Sequence, residues 1–190
     1  MQENSFKFFT LNYWRSIDKK ILFCFLILFF LGLFFSFSST SSLAGERLNK
    51  DYYFFFTKHL IFTVLAISIM MIISFIRTEV LIKLVIPAFV VSFIFLAIVP
   101  IVGVEAKGAR RWLNLYFFNL QPVEILKPLF ILMTVKILTY KNFQNYHLKY
   151  FLSFILLSCV IILLIDQPDL GQSILLTSSW IATVFVSGVS

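Results

Sequence analysis

Charge and cysteine are both scarce in this chain, and each scarcity excludes a class of protein. Charged residues make up 13% of the sequence, hydrophobic residues make up 60%, and the mean hydropathy is +0.95. Because soluble domains carry about 25% charged residues, this composition excludes an ordinary soluble domain. The two cysteines, Cys24 and Cys159, and the two histidines offer neither a disulfide framework nor the spacing of a metal site.

Long apolar stretches fill most of the remaining sequence. A helix that crosses a bilayer needs about 20 apolar residues, because the hydrocarbon core is about 30 Å thick. Six stretches approach this length and nearly touch one another, so they leave no room for a soluble domain. The sequence therefore predicts an all-α fold, a polytopic transmembrane helical bundle that forms a single domain over residues 1–190. The predicted spans cover about 21–39, 59–76, 82–102, 123–139, 150–165 and 172–190.

The basic residues indicate the orientation of these spans. With the N-terminus in the cytoplasm, nine of the sixteen lysines and arginines fall in cytoplasmic segments, as the positive-inside rule favours. Four of the other seven lie in the connection after span three or at the start of span four: Lys107, Arg110, Arg111 and Lys127. The net charge of +7 is spread over short loops beside lipid. It therefore favours anionic lipid headgroups or a diphosphate-bearing substrate as partner, and not nucleic acid.

The charged loop before span four is the first candidate site. Charge beside a bilayer core costs several kcal/mol, so its presence there is a hypothesis of function. Arg110 and Arg111 offer planar guanidinium groups suited to diphosphate oxygens, and Trp112 offers a stacking face for a sugar. The alternative is an interfacial belt, in which the arginines reach lipid phosphates and the tryptophan anchors the loop.

The segment from Gln121 to Lys127 reads as the start of the fourth helix. Pro122 suits the first helical position, and Glu124 lies in the first turn, where the helix dipole favours a carboxylate. Lys127 follows three residues later on the same face. Two interpretations stay open. The pair either lets two charges tolerate shallow burial, or it faces a substrate and orients a sugar or a diphosphate.

The segment from Gln167 to Gly171 repeats this arrangement before span six. Pro168 is predicted to begin the helix, with Asp169 in its first turn. In one interpretation Asp169 only stabilises the helix start. In the other, Asp166 and Asp169 form an outward acidic site that could attract a divalent cation.

Together these segments resemble the SEDS family (shape, elongation, division and sporulation), the peptidoglycan polymerases FtsW and RodA. That family carries a Gly-Ala-Arg-Arg-Trp-like loop, then Gln-Pro-x-Glu-x-x-Lys, then Gln-Pro-Asp-Leu-Gly. The same order occurs here at Gly108–Trp112, Gln121–Lys127 and Gln167–Gly171. Trp14–Asp18 and the first loop are more similar to FtsW than to RodA.

The resemblance implies an inverting glycosyltransferase of the bacterial cytoplasmic (inner) membrane that polymerises lipid II. Arg110, Arg111 and Lys127 would then bind diphosphate, and Trp112 and Glu124 would shape the outer cavity. The implied partners are the undecaprenyl diphosphate-linked glycan, membrane lipid, a class B penicillin-binding protein and other division proteins.

The resemblance covers only the first half of the family. The essential aspartate of its members lies beyond the corresponding region, so no catalytic residue is expected in this chain, and Asp169 is not its replacement. The chain is thus expected to be a fragment, a split-gene half or an inactive remnant. Two other functions stay open: a lipid II flippase, and a non-catalytic membrane scaffold of the division machinery.

Overall fold

The computed structural model describes residues 17–39, 53–106, 108–115, 118–140 and 145–188. Residues 1–16, which include Trp14, residues 40–52, which form most of the first loop, and Lys107 lie outside these ranges. The described residues form six helices and three short strands. In chain order they are α1 (Lys19–Ser39), α2 (Phe54–Ser74), α3 (Thr78–Val102), β1 (Val104–Ala106), β2 (Ala109–Asn114), β3 (Asn119–Leu120), α4 (Pro122–Leu138), α5 (Tyr146–Asp166) and α6 (Leu170–Val186).

The helices follow the six predicted spans, with several starting a few residues earlier. Among the described residues, α1, α2, α3 and α5 are long and apolar enough to cross a membrane. Helices α4 and α6 have 17 residues each, which is at the short end for a span. The helical architecture is therefore confirmed, whereas the count of six spans and the cytoplasmic N-terminus remain predictions.

Helices α1 and α2 form an antiparallel hairpin that is one compact unit, residues Met1–Arg77. Asp18 caps α1, because its carboxylate accepts the N–H of Lys20 at 2.9 Å. At the other end of α1, the Phe37 ring packs edge-on against Phe56 of α2, with centroids 5.4 Å apart. Gly32 of α1 faces His59 of α2, since a Cβ at this glycine would be in ordinary van der Waals contact with the imidazole at 3.7 Å.

The second compact unit, Thr78–Ser190, contains α3 to α6 and the strands. Lys136, near the end of α4, donates to the carbonyl of Ile82, near the start of α3, so these helices are antiparallel. Tyr150 of α5 donates to the carbonyl of Gly188 after α6, which makes that pair antiparallel as well. The C-termini of α3 and α5 and the N-termini of α4 and α6 consequently share one end, called here the polar end.

In the second unit, buried side chains recur along α3, α4 and α5 at the spacing of one helical face. In α3 they are Val85, Phe89, Ser92, Leu96 and Val99, and in α5 they are Ser153, Leu157, Val160 and Leu164. Phe130 and Leu126 of α4 and Leu176 of α6 complete the core of this unit. The opposite faces expose large apolar side chains, as helices in contact with lipid do.

The connection between α3 and α4, treated in the sequence as a charged loop, contains a small antiparallel sheet in the order β1-β2-β3. Ala106 pairs with Ala109 across a tight turn, and Leu113 pairs with Leu120. Gly108 in this turn has a φ of +78°, a conformation that favours glycine. The charged residues led to the prediction of a loop here, although a glycine between two short extended segments is a turn signal.

Candidate functional site

Strand β2 separates the two neighbouring arginines. Successive side chains of a strand point to opposite faces. In β2, Ala109, Arg111 and Leu113 are buried or half-buried, whereas Arg110, Trp112 and Asn114 are exposed. Arg110 and Trp112 therefore share one face of the strand, and Arg111 occupies the other.

Arg111 joins the sheet to the turn between α5 and α6. Its Nε donates to the carbonyl of Gln167 at 3.1 Å, and its Nη2 donates to the carbonyl of Pro168. Its Nε also lies 3.8 Å from the carboxylate of Asp169. Arg111 thus binds the carbonyls of the turn just after α5, where the helix dipole favours a cation. Whether it binds diphosphate remains a prediction.

Arg110 has the corresponding position at the end of α3. Its Nη1 donates to the carbonyl of Pro100 at 3.4 Å, and its Nη2 lies 3.7 Å from Glu105. Both side chains of this ion pair are about half exposed. Beside it lies an open cleft of about 310 Å³ lined by Pro100, Glu105, Gly108, Ala109, Arg110, Asp166 and Pro168. Trp112, 37% exposed, shares the strand face of Arg110 and pairs with Val104 of β1.

Asp169 is the N-cap of α6, which corrects the predicted helix start. The helix begins at Leu170, so Pro168 precedes it and Asp169 is not in its first turn. The physical reason is a capping bond, because the Asp169 carboxylate accepts the N–H of Gln172. The other carboxylate oxygen accepts from the side-chain amide of Gln121 at 3.4 Å. Asp169 therefore joins α6 to the start of α4.

The start of α4 follows its prediction. Gln121 is the N-cap, Pro122 is the first helical residue, and Glu124 lies in the first turn. The ammonium of Lys127 is 2.6 Å from the Glu124 carboxylate. The side chain of Glu124 is 50% exposed and that of Lys127 is 20% exposed. The ion pair exists, so one charge of this pair is accessible and the other is mostly covered.

Gln172 and Gln167 complete the arrangement. The side-chain amide of Gln172 donates to Glu124 at 3.0 Å, a contact that the sequence analysis missed. Its position in the first turn of α6, matching that of Glu124 in α4, is the available signal. Gln167 is 3% exposed, and its side-chain amide donates to the carbonyl of Leu96 at 3.0 Å.

Two connected sets of polar contacts thus meet at the polar end. One runs Arg111–Asp169–Gln121, and the other runs Gln172–Glu124–Lys127; the first turn of α6 links them. Carboxylate and amide oxygens here can accept from sugar hydroxyls, and Lys127 and Arg110 can donate to phosphate oxygens. Within the described ranges, no three His, Cys, Asp or Glu side chains cluster as metal ligands would.

Comparison with known proteins places the chain in a family. The model of the FtsW/RodA/SpoVE cell cycle proteins matches residues 18–190. The chain belongs to this family. Its members include the SEDS proteins that the three motifs resemble.

Individual relatives agree with this placement. The chain is 30% identical over 180 residues to the "Probable peptidoglycan glycosyltransferase FtsW" of Caulobacter vibrioides, an alignment that covers 93% of this chain and 45% of the relative. It is also 30% identical to the protein of the same name from Coxiella burnetii, covering 92% of this chain and 48% of that relative. The chain therefore spans less than half the length of these curated relatives.

Solved structures share the fold. A chain of a peptidoglycan synthase complex that coordinates polymerization and crosslinking superposes with a TM-score of 0.74 at 26% identity, covering 92% of this chain and 48% of that chain. The rod shape determining protein RodA of Thermus thermophilus superposes with a TM-score of 0.65 at 26% identity, covering 84% of this chain and 54% of that one. This FtsW/RodA-family chain is a multi-pass protein of the bacterial inner membrane.

Proposed function

We propose that this chain corresponds to the N-terminal half of a peptidoglycan glycosyltransferase that polymerises lipid II into glycan strands during cell division. The observation that carries the proposal is the meeting of three family motifs at one end of the four-helix unit. Residues 167–171 are about 40 residues from 121–127 in the sequence, yet Asp169 contacts both Arg111 and Gln121, and Gln172 in the next turn contacts Glu124.

The proposed chemistry assigns different roles to these residues. In an inverting transfer, the acceptor 4-hydroxyl attacks the anomeric carbon, its proton passes to a base, and undecaprenyl diphosphate leaves. Positive charge is needed where the diphosphate develops. Lys127 and Arg110 are the cations proposed to supply it. Glu124 and Trp112 are proposed to position the sugar, and the base lies outside the part of the family matched by this chain.

Arg111 is proposed to act indirectly. Two main-chain carbonyls and the Asp169 carboxylate already occupy its guanidinium group. Arg111 is therefore proposed to fix the turn before α6, and this turn is proposed to position the residues of the substrate site. A class B penicillin-binding protein is the proposed partner that crosslinks the product, together with other membrane proteins of the division machinery.

The proposal is tested with labelled lipid II in reconstituted vesicles. The chain is measured alone and joined to the C-terminal half of the Caulobacter vibrioides relative, the part of that relative that this chain does not match. We expect the joined protein to produce glycan polymer. A well-folded joined protein that makes no polymer contradicts the proposal. Translocation of lipid II without polymer would instead indicate a flippase, and co-purification of a penicillin-binding protein without either activity would indicate a scaffold.

A further inference from the structure

The carbonyl of Leu96 lacks its usual partner within α3. In an α-helix this carbonyl accepts the N–H of the residue four positions later. That residue is Pro100, which has no N–H. Leu96 is completely buried, so water does not replace the missing donor. An unpaired carbonyl at this depth costs free energy, and a donor from another element is therefore required.

Gln167 supplies that donor. Its Nε2 lies 3.0 Å from the Leu96 oxygen, and the residue is 3% exposed. Its own main-chain carbonyl accepts from Nε of Arg111 at 3.1 Å. One residue of the α5–α6 turn is thus bonded on one side to α3 and on the other side to strand β2. Two residues further on, Asp169 caps α6 and contacts both Arg111 and Gln121.

We propose that Gln167 is a positioning residue. Its side chain replaces the N–H that Pro100 lacks, and this bond fixes the α5–α6 turn, with Arg111 and Asp169, against α3. This proposal rests on the proposed function in one respect only, namely that the fixed turn supports a substrate site at the polar end. The bond itself is testable without any substrate.

The chemistry of the bond limits which residues can replace Gln167. Methionine has nearly the same length but no donor. Asparagine keeps the donor on a side chain shorter by one methylene. Pro100→Ala restores an N–H within α3, so the Leu96 carbonyl keeps a partner even when Gln167 is replaced. Pro87→Ala makes the same change in the same helix at a position away from Gln167, and is the matched control.

The experiment measures thermal stability of the detergent-solubilised chain and amide hydrogen exchange of the peptide 165–173. Gln167→Met is expected to lower the Tm by about 3 °C in the parent protein, and by less than half of that when combined with Pro100→Ala. In the Pro87→Ala background the full loss should persist. Equal losses in all three backgrounds would show that Gln167 does not replace the missing N–H.

Hydrogen exchange distinguishes a positioning role of Gln167 from a role limited to pairing the Leu96 carbonyl. In the Gln167→Met, Pro100→Ala double variant the Tm recovers, but the bond between α3 and the turn is still absent. We expect exchange in residues 165–173 to remain several-fold faster than in the parent. Parent-like exchange in this variant would overturn the positioning role. If Gln167→Met does not fold, Gln167→Asn takes its place with the same two comparisons.

Polymer synthesis by the same variants distinguishes this inference from the proposed function. The double variant of the joined protein should keep a reduced rate despite its recovered Tm. An unsubstituted protein that makes no polymer removes the proposed function and leaves the exchange result standing. A protein whose double variant has a parent-like rate and parent-like exchange contradicts the positioning role and leaves the polymerase proposal intact.

Discussion

The two ends of the four-helix unit are built from the same helices and differ sharply in chemistry. At the polar end, the starts of α4 and α6 carry Glu124, Lys127 and Asp169, and Arg111 of β2 contacts Asp169. At the opposite end, the C-terminal turns of the same two helices border an open apolar groove of about 440 Å³. It is lined by Val135, Leu138, Thr139, Ala182, Thr183, Val186 and Ser187.

The difference shows which polar groups the fold itself requires. Helix ends leave main-chain groups unpaired wherever they occur. In the groove, the hydroxyls of Thr139 and Thr183 bond to carbonyls of their own helices. At the polar end, Arg111 instead donates to two carbonyls of the α5–α6 turn, and Asp169 accepts the N–H of Gln172 at the start of α6. Glu124 lies in the first turn of α4, and the Glu124–Lys127 pair is the part of this end that we propose to face the substrate.

Removing Lys127 should produce the largest effect and tests whether the ends differ in function. Lys127→Ala in the joined protein is expected to lower the polymerisation rate by about 100-fold, because the cation that we propose to lie near the leaving diphosphate is lost. Lys136→Ala, near the other end of the same helix, should leave the rate within about two-fold. Equal losses of polymerisation rate in the two variants would indicate a structural role for Lys127. The two ends would then not differ in function.

The next largest effect is expected for the cap of α6. Asp169→Ala removes an N-cap and leaves Arg111 without its carboxylate, so it should destabilise the protein by about 2 kcal/mol in denaturant unfolding. Asp169→Asn keeps a capping oxygen and should cost about half as much. Thr139→Ala, at the groove end, should change stability by less than about 0.5 kcal/mol. An Asp169→Ala variant as stable as Thr139→Ala would contradict the proposed importance of this cap.

Hydropathy predicts the helices of this chain well, whereas the contacts between its polar groups depend on the fold. The predicted span 123–139 corresponds to Pro122–Leu138, and 82–102 corresponds to Thr78–Val102, since the first turn of α3 also accommodates Glu79. The order of the three motifs indicated the family. Spacing along the chain could not show that Arg111 reaches Asp169, or that strand alternation separates Arg110 from Arg111.

The two arginines provide a smaller contrast within the polar end. Arg111→Lys keeps the charge but loses the fork that reaches two carbonyls, so a loss of about 1–1.5 kcal/mol in unfolding free energy is expected. The Arg110 guanidinium is half exposed and makes one long hydrogen bond. Arg110→Lys should therefore lower the unfolding free energy by less than about 0.5 kcal/mol. Similar losses for both would indicate that the sheet does not separate their roles.

The smallest effect concerns the turn that forms the sheet. Gly108 has a φ of +78°, so Gly108→Ala should destabilise the protein by about 1 kcal/mol in thermal or denaturant unfolding. Gly171 lies in α6, and a side chain there meets no described atom within 4 Å. Gly171→Ala should therefore be neutral or stabilising by up to about 1 kcal/mol. The opposite ranking of the two variants would argue against the hairpin turn.

Photocrosslinking with a lipid II analogue tests the central claim most directly. A photoreactive group next to the diphosphate is activated on the reconstituted joined protein, and the adducts are mapped by mass spectrometry. We predict adducts in peptides covering residues 108–115, 121–127 and 167–173, and their loss in competition with unlabelled lipid II. The contrary result would be adducts that form only at the groove, in residues 135–139 and 182–187, and that unlabelled lipid II prevents. This result would contradict the assignment of the substrate site to the polar end.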